Sequence, residues 1–392
     1  MSALRLLHAR IVTPGRIIPD GAVDLADGMV TAVAAAGEAA TFAGEVVDLE
    51  GRTLLPGFVD IHCHGRNGAD FSDGTREAFE TIGRHKLEEG VTTVFPTTLT
   101  LPREAIIAVM HRTREYAPKF PAAKMPGVHL EGPFVTPSCA GAQNPESLRL
   151  PDWDEVDSYR KIARVMKLSL SPELPGALEV IQRAVAAGIV CSGAHSAATY
   201  EDYLAAREAG MTQLTHFCNV MTPLHHLRPG MVGGGLVDRD VSVEVIGDGV
   251  HIKDVMLRVI LRMKGPERIL LITDAMRAAG LPDGESSLGG LKVFVKNGRA
   301  TLADGTVAGS VGTMIGNLRN LRRLGEVPDE ELIKIAGFNQ ARAFGLPRGT
   351  GEIVAGGPAD LVVADADWNI ERVFVNGIEG LQWTPNGTAD EA

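Results

Sequence analysis

Two histidines one residue apart, His62 and His64, end the apolar run FVDIHCHG at residues 58–65. In an extended chain residues i and i+2 project to the same side, so both imidazoles leave the strand end together while Cys63 faces the opposite way. Other residues of metal-binding type close other apolar runs: Glu131 in GVHLEGPF, His195 in GIVCSGAHS, His216 in QLTHFCNVM, Asp248 and His251 in VSVEVIGDGVH, and Asp274 in RILLITDAM. Singly, each has a plain explanation: a helix-start histidine for His195, an N-cap for Asp274, a turn carboxylate for Glu131. Together, imidazoles and carboxylates at the ends of successive runs form a donor set suited to Zn²⁺ or another borderline divalent ion.

The elements that must position these residues follow from the texture of the chain. Between residues 56 and 347 the runs FVDIHCHG, VTTVFPTTL, GVHLEGPF, VMKLSLSPE, GIVCSGAHS, QLTHFCNVM, VSVEVIGDGVH and RILLITDAM read as buried strands, and helical segments separate most of them. Leu178, Ile181 and Val185 mark an apolar helix face at i, i+3, i+7, and Met256, Val259, Ile260 and Met263 mark another. Thr199, three residues before Asp202, is the expected N-cap of a helix closing at Gly210. A further helix is expected from an acidic start at Asp329 to Gly345. Eight strands alternating with helices fit an α/β fold of the (β/α)8 type better than an open doubly wound sheet. Such a barrel gathers the ends of its strands at one mouth. Residues 1–55 and 348–392 instead read as short strands and turns, so a composite small β domain is expected from the two chain ends, with the barrel spanning 56–347.

Composition narrows the function. The net charge of −11 and pI near 5.5 argue against nonspecific nucleic-acid binding, which needs basic surface. Four cysteines in 392 residues make no disulfide framework, and no run approaches the roughly 20 apolar residues of a membrane span. Arg5, His8 and Arg10 interrupt the N-terminal stretch, which therefore does not read as a signal peptide. The expected setting is cytoplasmic, with neither nucleic acid nor membrane as partner.

The segments PGFVDIHCHG, GVHLEGPF, GAHS, THFCNVM, DGVH, TDA and GTVAGS, in this order along the whole chain, resemble the motif series of the N-acetylglucosamine-6-phosphate deacetylases of the amidohydrolase superfamily. The C-terminal GEIVAGGPADLVVAD resembles that superfamily's small β domain, a β-sandwich. The resemblance implies that Glu131, His195 and His216 hold a principal metal. His62 and His64 then serve a second position with Glu131 bridging. It further implies that Ala142, Gln143, Asn219, Val220, Val307, Ala308 and Gly309 line the sugar pocket, and that the active form is a homodimer. The metal expected is zinc, with iron, cobalt or manganese as alternatives.

The implied reaction is hydrolysis of the N-acetyl group of N-acetylglucosamine 6-phosphate to glucosamine 6-phosphate and acetate. An amide resists water because its carbonyl is a weak electrophile and its nitrogen a poor leaving group. A divalent ion brings the pKa of water from ~15.7 to ~7, and a carboxylate beside it takes the proton and returns it to the amine. Asp274 is the candidate for both proton transfers, and His251 or Gln143 for a donor to the oxyanion.

Two positions depart from the family pattern. Leu227-Arg228 stands where Arg-Glu is usual, the family's arginine reaching the sugar phosphate across the dimer interface, and Gln143 stands where histidine is usual. His226 and Arg228, with His225, still offer an anion-binding loop. Other N-acyl amines, among them N-acetylgalactosamine 6-phosphate or a free N-acetylhexosamine, are alternative substrates. A cyclic-amide hydrolase is a further alternative. It would need a carboxylated lysine on the fourth strand, where Lys167 is the candidate.

Overall fold

The computed structural model describes residues 3–382. The last ten residues of the expected small β domain, 383–392, lie outside them. The chain begins with β1 (Leu4–Thr13), β2 (Arg16–Ala26), β3 (Met29–Ala35), β4 (Glu45–Asp48) and β5 (Thr53–Pro56).

The eight apolar runs then form parallel strands, each followed by a helix. In order these are β6 (Phe58–Cys63), after which a hairpin of β7 (Gly65–Arg66) and β8 (Ala69–Asp70) precedes α1 (Arg76–His85); β9 (Val91–Pro96) and α2 (Arg103–Glu115); β10 (Val128–Glu131) and α3 (Trp153–Arg160); and β11 (Val165–Leu170) and α4 (Ala177–Ala186). They continue with β12 (Val190–Gly193) and α5 (Tyr200–Glu208), β13 (Gln213–Leu214) and α6 (Gly230–Val237), β14 (Ser242–Ile246) and α7 (Asp254–Lys264), and β15 (Ile269–Ile272), which a meander of β16 (Gly284–Leu288), β17 (Leu291–Lys296) and β18 (Arg299–Thr301) separates from α8 (Met314–Leu324). After α9 (Asp329–Leu332) and α10 (Phe338–Ala343), the chain ends in β19 (Leu361–Ala364), β20 (Ile370–Val375) and β21 (Ile378–Gln382).

Strands β10 to β15 form one parallel sheet and β6 pairs with β9; the bridges Thr97↔His129 and Cys63↔Ala275 join the two into a closed ring. The fold is therefore the (β/α)8 barrel. Alternation along its strands sends every second side chain outward. Val128 and Leu130, Leu168 and Leu170, and Val243 and Val245 join the apolar core between strands and helices. Their neighbours His129, Glu131, Lys167, Ser169 and Glu244 face the axis. Lys167 on β11 meets Glu244 on β14, a contact that two strands lying between them allow only across the barrel.

The two chain ends share one sheet, ordered β21-β20-β19-β5-β1-β2-β3, with β4 beside β1. One of its faces contributes Val12, Leu55, Val362 and Val373 to the barrel's outer core. The other packs Ile11, Leu54, Leu361, Val363 and Phe374 among themselves. Its tight turns are legible in the sequence: Asp27-Gly28 and Asn376-Gly377 have positive φ at both positions, as the two-residue hairpin matching strand twist requires.

Local expectations fare unevenly. Thr199 caps α5 by accepting from Asp202 N at 3.1 Å, and Asp202 accepts from Thr199 N at 2.9 Å, a reciprocal box. The apolar faces are corrected. In α4, Leu178 and Val185 are exposed while Ala177, Val180, Ile181 and Ala184 are buried. In α7, Val259 and Met263 are exposed while Leu257, Ile260 and Leu261 are buried. Small alanines let a helix lie close to the strands, so the stripe follows position on the helix rather than side-chain size. The helix expected from Asp329 breaks into α9, a 3₁₀ turn at Ile333–Ala336, and α10.

The seam between β15 and β6 is joined by backbone hydrogen bonds at its upper end, Asp274 N to His62 O at 2.9 Å and His64 N to Ala275 O at 2.8 Å, and side chains reinforce it below. Asp60 accepts from Thr273 Oγ1 at 2.5 Å and from Lys86 Nζ at 2.8 Å, and Lys86 also meets Glu89 at 2.7 Å. All three charged groups are fully buried. Lys86→Met would leave Asp60 without its cation and Glu89 with Arg66 alone, at 3.7 Å. It is expected to destabilise the fold by about 3–5 kcal/mol, the usual cost of breaking a buried pair. Urea unfolding measures this, and a loss below about 1 kcal/mol would show that the seam does not depend on the lysine.

Candidate metal centre

Parallel strands all end at the same rim. His62 and His64 lie at the end of β6, Glu131 is the last residue of β10, and His195, His216 and Asp274 each follow β12, β13 and β15 by two residues. The last three have φ of 45°, 30° and 50°, a left-handed conformation that costs non-glycine residues energy and concentrates at functional sites. Each strand thus turns sharply as it delivers its side chain.

The side chains converge on Glu131. Its Oε1 lies 3.1 Å from His216 Nε2, 3.5 Å from His195 Nε2 and 3.4 Å from His62 Nε2; its Oε2 lies 3.3 Å from His64 Nε2. His195 Nε2 and His216 Nε2 are 3.1 Å apart. Asp274 Oδ1 stands 3.4 Å from His62 Nε2 and 3.3 Å from His64 Nε2. Two metal-type groups result, His62–His64–Glu131 and Glu131–His195–His216, sharing the carboxylate.

The residues fit a divalent ion. Ligand atoms ~2.0–2.1 Å from one tetrahedral ion are themselves ~3.3 Å apart, the spacing found. The tautomers agree. His195 Nδ1 lies 3.0 Å from the Cys139 carbonyl and His62 Nδ1 3.0 Å from Glu244 Oε2. Both partners only accept, so each Nδ1 carries a hydrogen and Nε2 is the nitrogen left to bind an ion. His62 Nε2 is buried and makes no hydrogen bond.

Electrostatics point the same way. Burial alone would lower the pKa of His62, but Glu131, Asp274 and Glu244 outweigh it and raise it to about 9. Burial would raise Asp274, yet His62, His64 and His216 hold it down at about 2. Glu131 is likewise held well below the usual carboxylate range against its burial by the surrounding imidazoles. The imidazoles supply the positive charge that the buried carboxylates need, a place a divalent cation would take.

Of the layer beneath, sequence reasoning named Lys167, in another role, and missed Glu244 and His129. Lys167 donates to Glu244 Oε1, while Glu244 Oε2 faces His62; His129 Nε2 lies 2.7 Å from Ser169 Oγ. The signal was present, since Glu244 and Lys167 each interrupt an otherwise apolar strand run. Lys167 is thereby engaged by Glu244, and Glu131 occupies the shared position that a carboxylated lysine would fill in a cyclic-amide hydrolase.

Above the centre opens a cavity of about 270 Å³. Of the residues expected around the sugar, Ala142, Gln143, Asn219, Val220, His251, Val307 and Gly309 line it. Ala308 is fully buried behind them. His226 and Arg228, expected at the anion, do not line it: residues 223–228 form an exposed turn closed by Arg228 N to His225 O at 3.0 Å. Among the described residues no lysine or arginine lines the cavity. Gln143 accepts from Thr100 N at 2.7 Å and donates to Glu131 Oε2 at 2.6 Å, so it also belongs to the metal centre. Asp248 is not a member of either metal-type group. It lies 2.7 Å from His251 Nδ1 and orients that ring. Leu99, Leu288 and Thr306 complete the wall, unanticipated. Leu288 comes from the β16–β18 meander, whose Gly289-Gly290 and Asn297-Gly298 turns are hairpin signals in the sequence.

Comparison with known proteins agrees with this geometry. Residues 53–379 match the model of the amidohydrolase family. An N-acetylglucosamine-6-phosphate deacetylase of Lysinibacillus sphaericus is 36% identical over 80% of this chain and 82% of its own. An N-acetylgalactosamine-6-phosphate deacetylase of Escherichia coli O157:H7 is 33% identical over 94% and 97%. Among solved structures, a mutant N-acetyl-D-glucosamine-6-phosphate deacetylase from Mycobacterium smegmatis, in complex with N-acetyl-D-glucosamine-6-phosphate, superposes with a TM-score of 0.90 at 33% identity, covering 97% of this chain and all of that one.

Because Glu131 belongs to both groups, Glu131→Gln is expected to lower the metal content at two positions at once, whereas His195→Ala should empty one. Elemental analysis of the purified variants reads this directly. Unchanged metal content in Glu131→Gln would contradict the shared carboxylate.

Proposed function

The chain belongs to the amidohydrolase family and, within it, to the N-acetylglucosamine-6-phosphate deacetylases, and from that premise we propose that it hydrolyses the N-acetyl group of a phosphorylated amino sugar, N-acetylglucosamine 6-phosphate first, releasing acetate. The observation that carries this reading is the Glu131 carboxylate shared by two histidine pairs at the floor of a cavity, with the Asp274 carboxylate beside it.

In this reading His195 and His216 with Glu131 hold the principal ion, and His62 and His64 serve the second position, with zinc as the metal. When bound, the ion supplies Lewis acidity and brings the pKa of water from ~15.7 to ~7. Asp274, ionised at neutral pH, takes the proton of the attacking water and delivers it to the departing amine nitrogen. The free amide hydrogen of Gln143 and the His251 ring, oriented by Asp248 at 2.7 Å, donate to the acyl oxygen or to the sugar as charge develops. Asn219, Val220 and the Val307–Gly309 segment bound the sugar. The turn bearing His226 and Arg228 reaches the phosphate of the neighbouring protomer in a homodimer. The cellular setting is cytoplasmic; no described helix is long and apolar enough to cross a membrane. N-acetylgalactosamine 6-phosphate is the second candidate, supported by the 33% identity over 94% of the chain to the deacetylase of that sugar.

Acetate release from N-acetylglucosamine, its 6-phosphate and N-acetylgalactosamine 6-phosphate, measured side by side, tests the substrate. The 6-phosphates are expected to lead in kcat/KM, and equal values with and without phosphate would refute the phosphate assignment. Arg228→Ala should raise KM for the phosphorylated sugars alone. Asp274→Asn should lower kcat by a factor on the order of 10² to 10⁴, the usual worth of general acid–base catalysis, with substrate still bound. Near-native kcat in that variant would give the proton transfers to another group.

A further inference from the structure

Below the two metal positions one carboxylate touches both. Glu244 is fully buried, and its Oε2 lies 3.0 Å from His62 Nδ1 and 3.1 Å from the backbone N of His216. Its Oε1 accepts from Lys167 Nζ, also fully buried. Its own carbonyl accepts from Phe217 N at 2.8 Å. Three of the four contacts therefore bear on metal-type ligands or on the chain segment that carries one. His216, two residues past β13, has a positive φ of 30°.

We infer that Glu244, neutralised by Lys167, is the positioning residue that sets both metal positions at once. Its Oε2 fixes the His62 ring with Nε2 aimed at Glu131, and it also pins the strained backbone that presents His216. The charge argument explains the lysine. A lone carboxylate beneath the cluster would be buried at a cost of several kcal/mol; paired with the ammonium it adds no net charge to the floor while keeping a strong acceptor. The Lys167 amine is therefore a counter-ion here. A carboxylate behind a ligating histidine orients the ring and raises its basicity, and removing such a partner costs 10–100-fold in metal affinity. Here one carboxylate serves ligands of two positions. This inference rests on the metal-centre reading above.

The test titrates the metal-free full-length protein with Zn²⁺ against a competing chelator, in the wild type and in two charge-neutral double variants. In Glu244→Leu with Lys167→Met, neither charge is left alone and the acceptor is gone; both Zn²⁺ dissociation constants are expected to rise about 10–100-fold. In Glu244→Gln with Lys167→Met, the amide oxygen can take the place of Oε2, and binding is expected to recover to within about 10-fold of wild type. ¹⁵N spectra of the Zn²⁺-saturated proteins should show the His62 Nδ1–H in a hydrogen bond in the wild type and the glutamine variant, and that hydrogen bond lost with leucine. A merely structural role would lower the melting temperature and leave both constants at wild-type values, and that result overturns the inference. So does a glutamine variant that binds no better than the leucine one. If the wild type itself binds no Zn²⁺, the metal-centre reading fails first, visibly and separately, and the inference with it.

Discussion

The structure depends on keeping carboxylates ionised inside a barrel. Glu131, Asp274 and Glu244 are each nine-tenths or more buried and each is held ionised. Isolated, such groups would take up protons rather than remain charged. Four imidazoles, one ammonium and the hydrogen bonds between them make the arrangement tolerable. Parallel strands matter for this reason. Only a closed ring brings the ends of β6, β10, β12, β13 and β15 near enough for the charges to balance. The same need recurs outside the axis, where Lys86 sits between Asp60 and Glu89 at the seam of β6 and β15.

Much of this was legible in the residues. Strand ends are where a barrel puts its chemistry, so His62, His64, Glu131, His195, His216 and Asp274 could be named from their place after apolar runs, and the eight runs are the eight barrel strands. In the layer beneath, Lys167 was named for another role and Glu244 not at all, because a charged residue mid-strand reads as an exception to a buried pattern until its partner across the axis is known. Glu244 is 77 residues from Lys167 in the chain, and no local rule connects them. The faces of α4 and α7 were misjudged for a different reason. Large apolar side chains draw attention, but close helix–strand packing is made by Ala177 and Ala184 as much as by Ile181. The β16–β18 meander was overlooked although its Gly-Gly and Asn-Gly turns announce it, since attention to strand–helix alternation leaves no place for an inserted hairpin.

The chain's departures from its family lie where chemistry leaves most freedom. Every cluster member on a strand end is constrained by charge balance and by a 3.1–3.5 Å network in which each atom has more than one neighbour. Gln143 and the Leu227-Arg228 pair stand in loops instead. Yet the two loops are not equivalent. The turn at 223–228 is exposed and touches no member of the cluster, so its sequence can change without cost to the metal centre.

Gln143 is bound at both ends. The Thr100 N–H fixes the amide oxygen, so the amide nitrogen must point at Glu131. A histidine there would bring a titratable group against the shared carboxylate; glutamine brings a donor whose charge is the same at every pH. One of its hydrogens is spent on Glu131 Oε2, and the other remains for whatever enters the cavity. The side chain is therefore braced at both ends and keeps one donor free toward the cavity. That is how a loop residue comes to be held as firmly as the strand-end residues it faces.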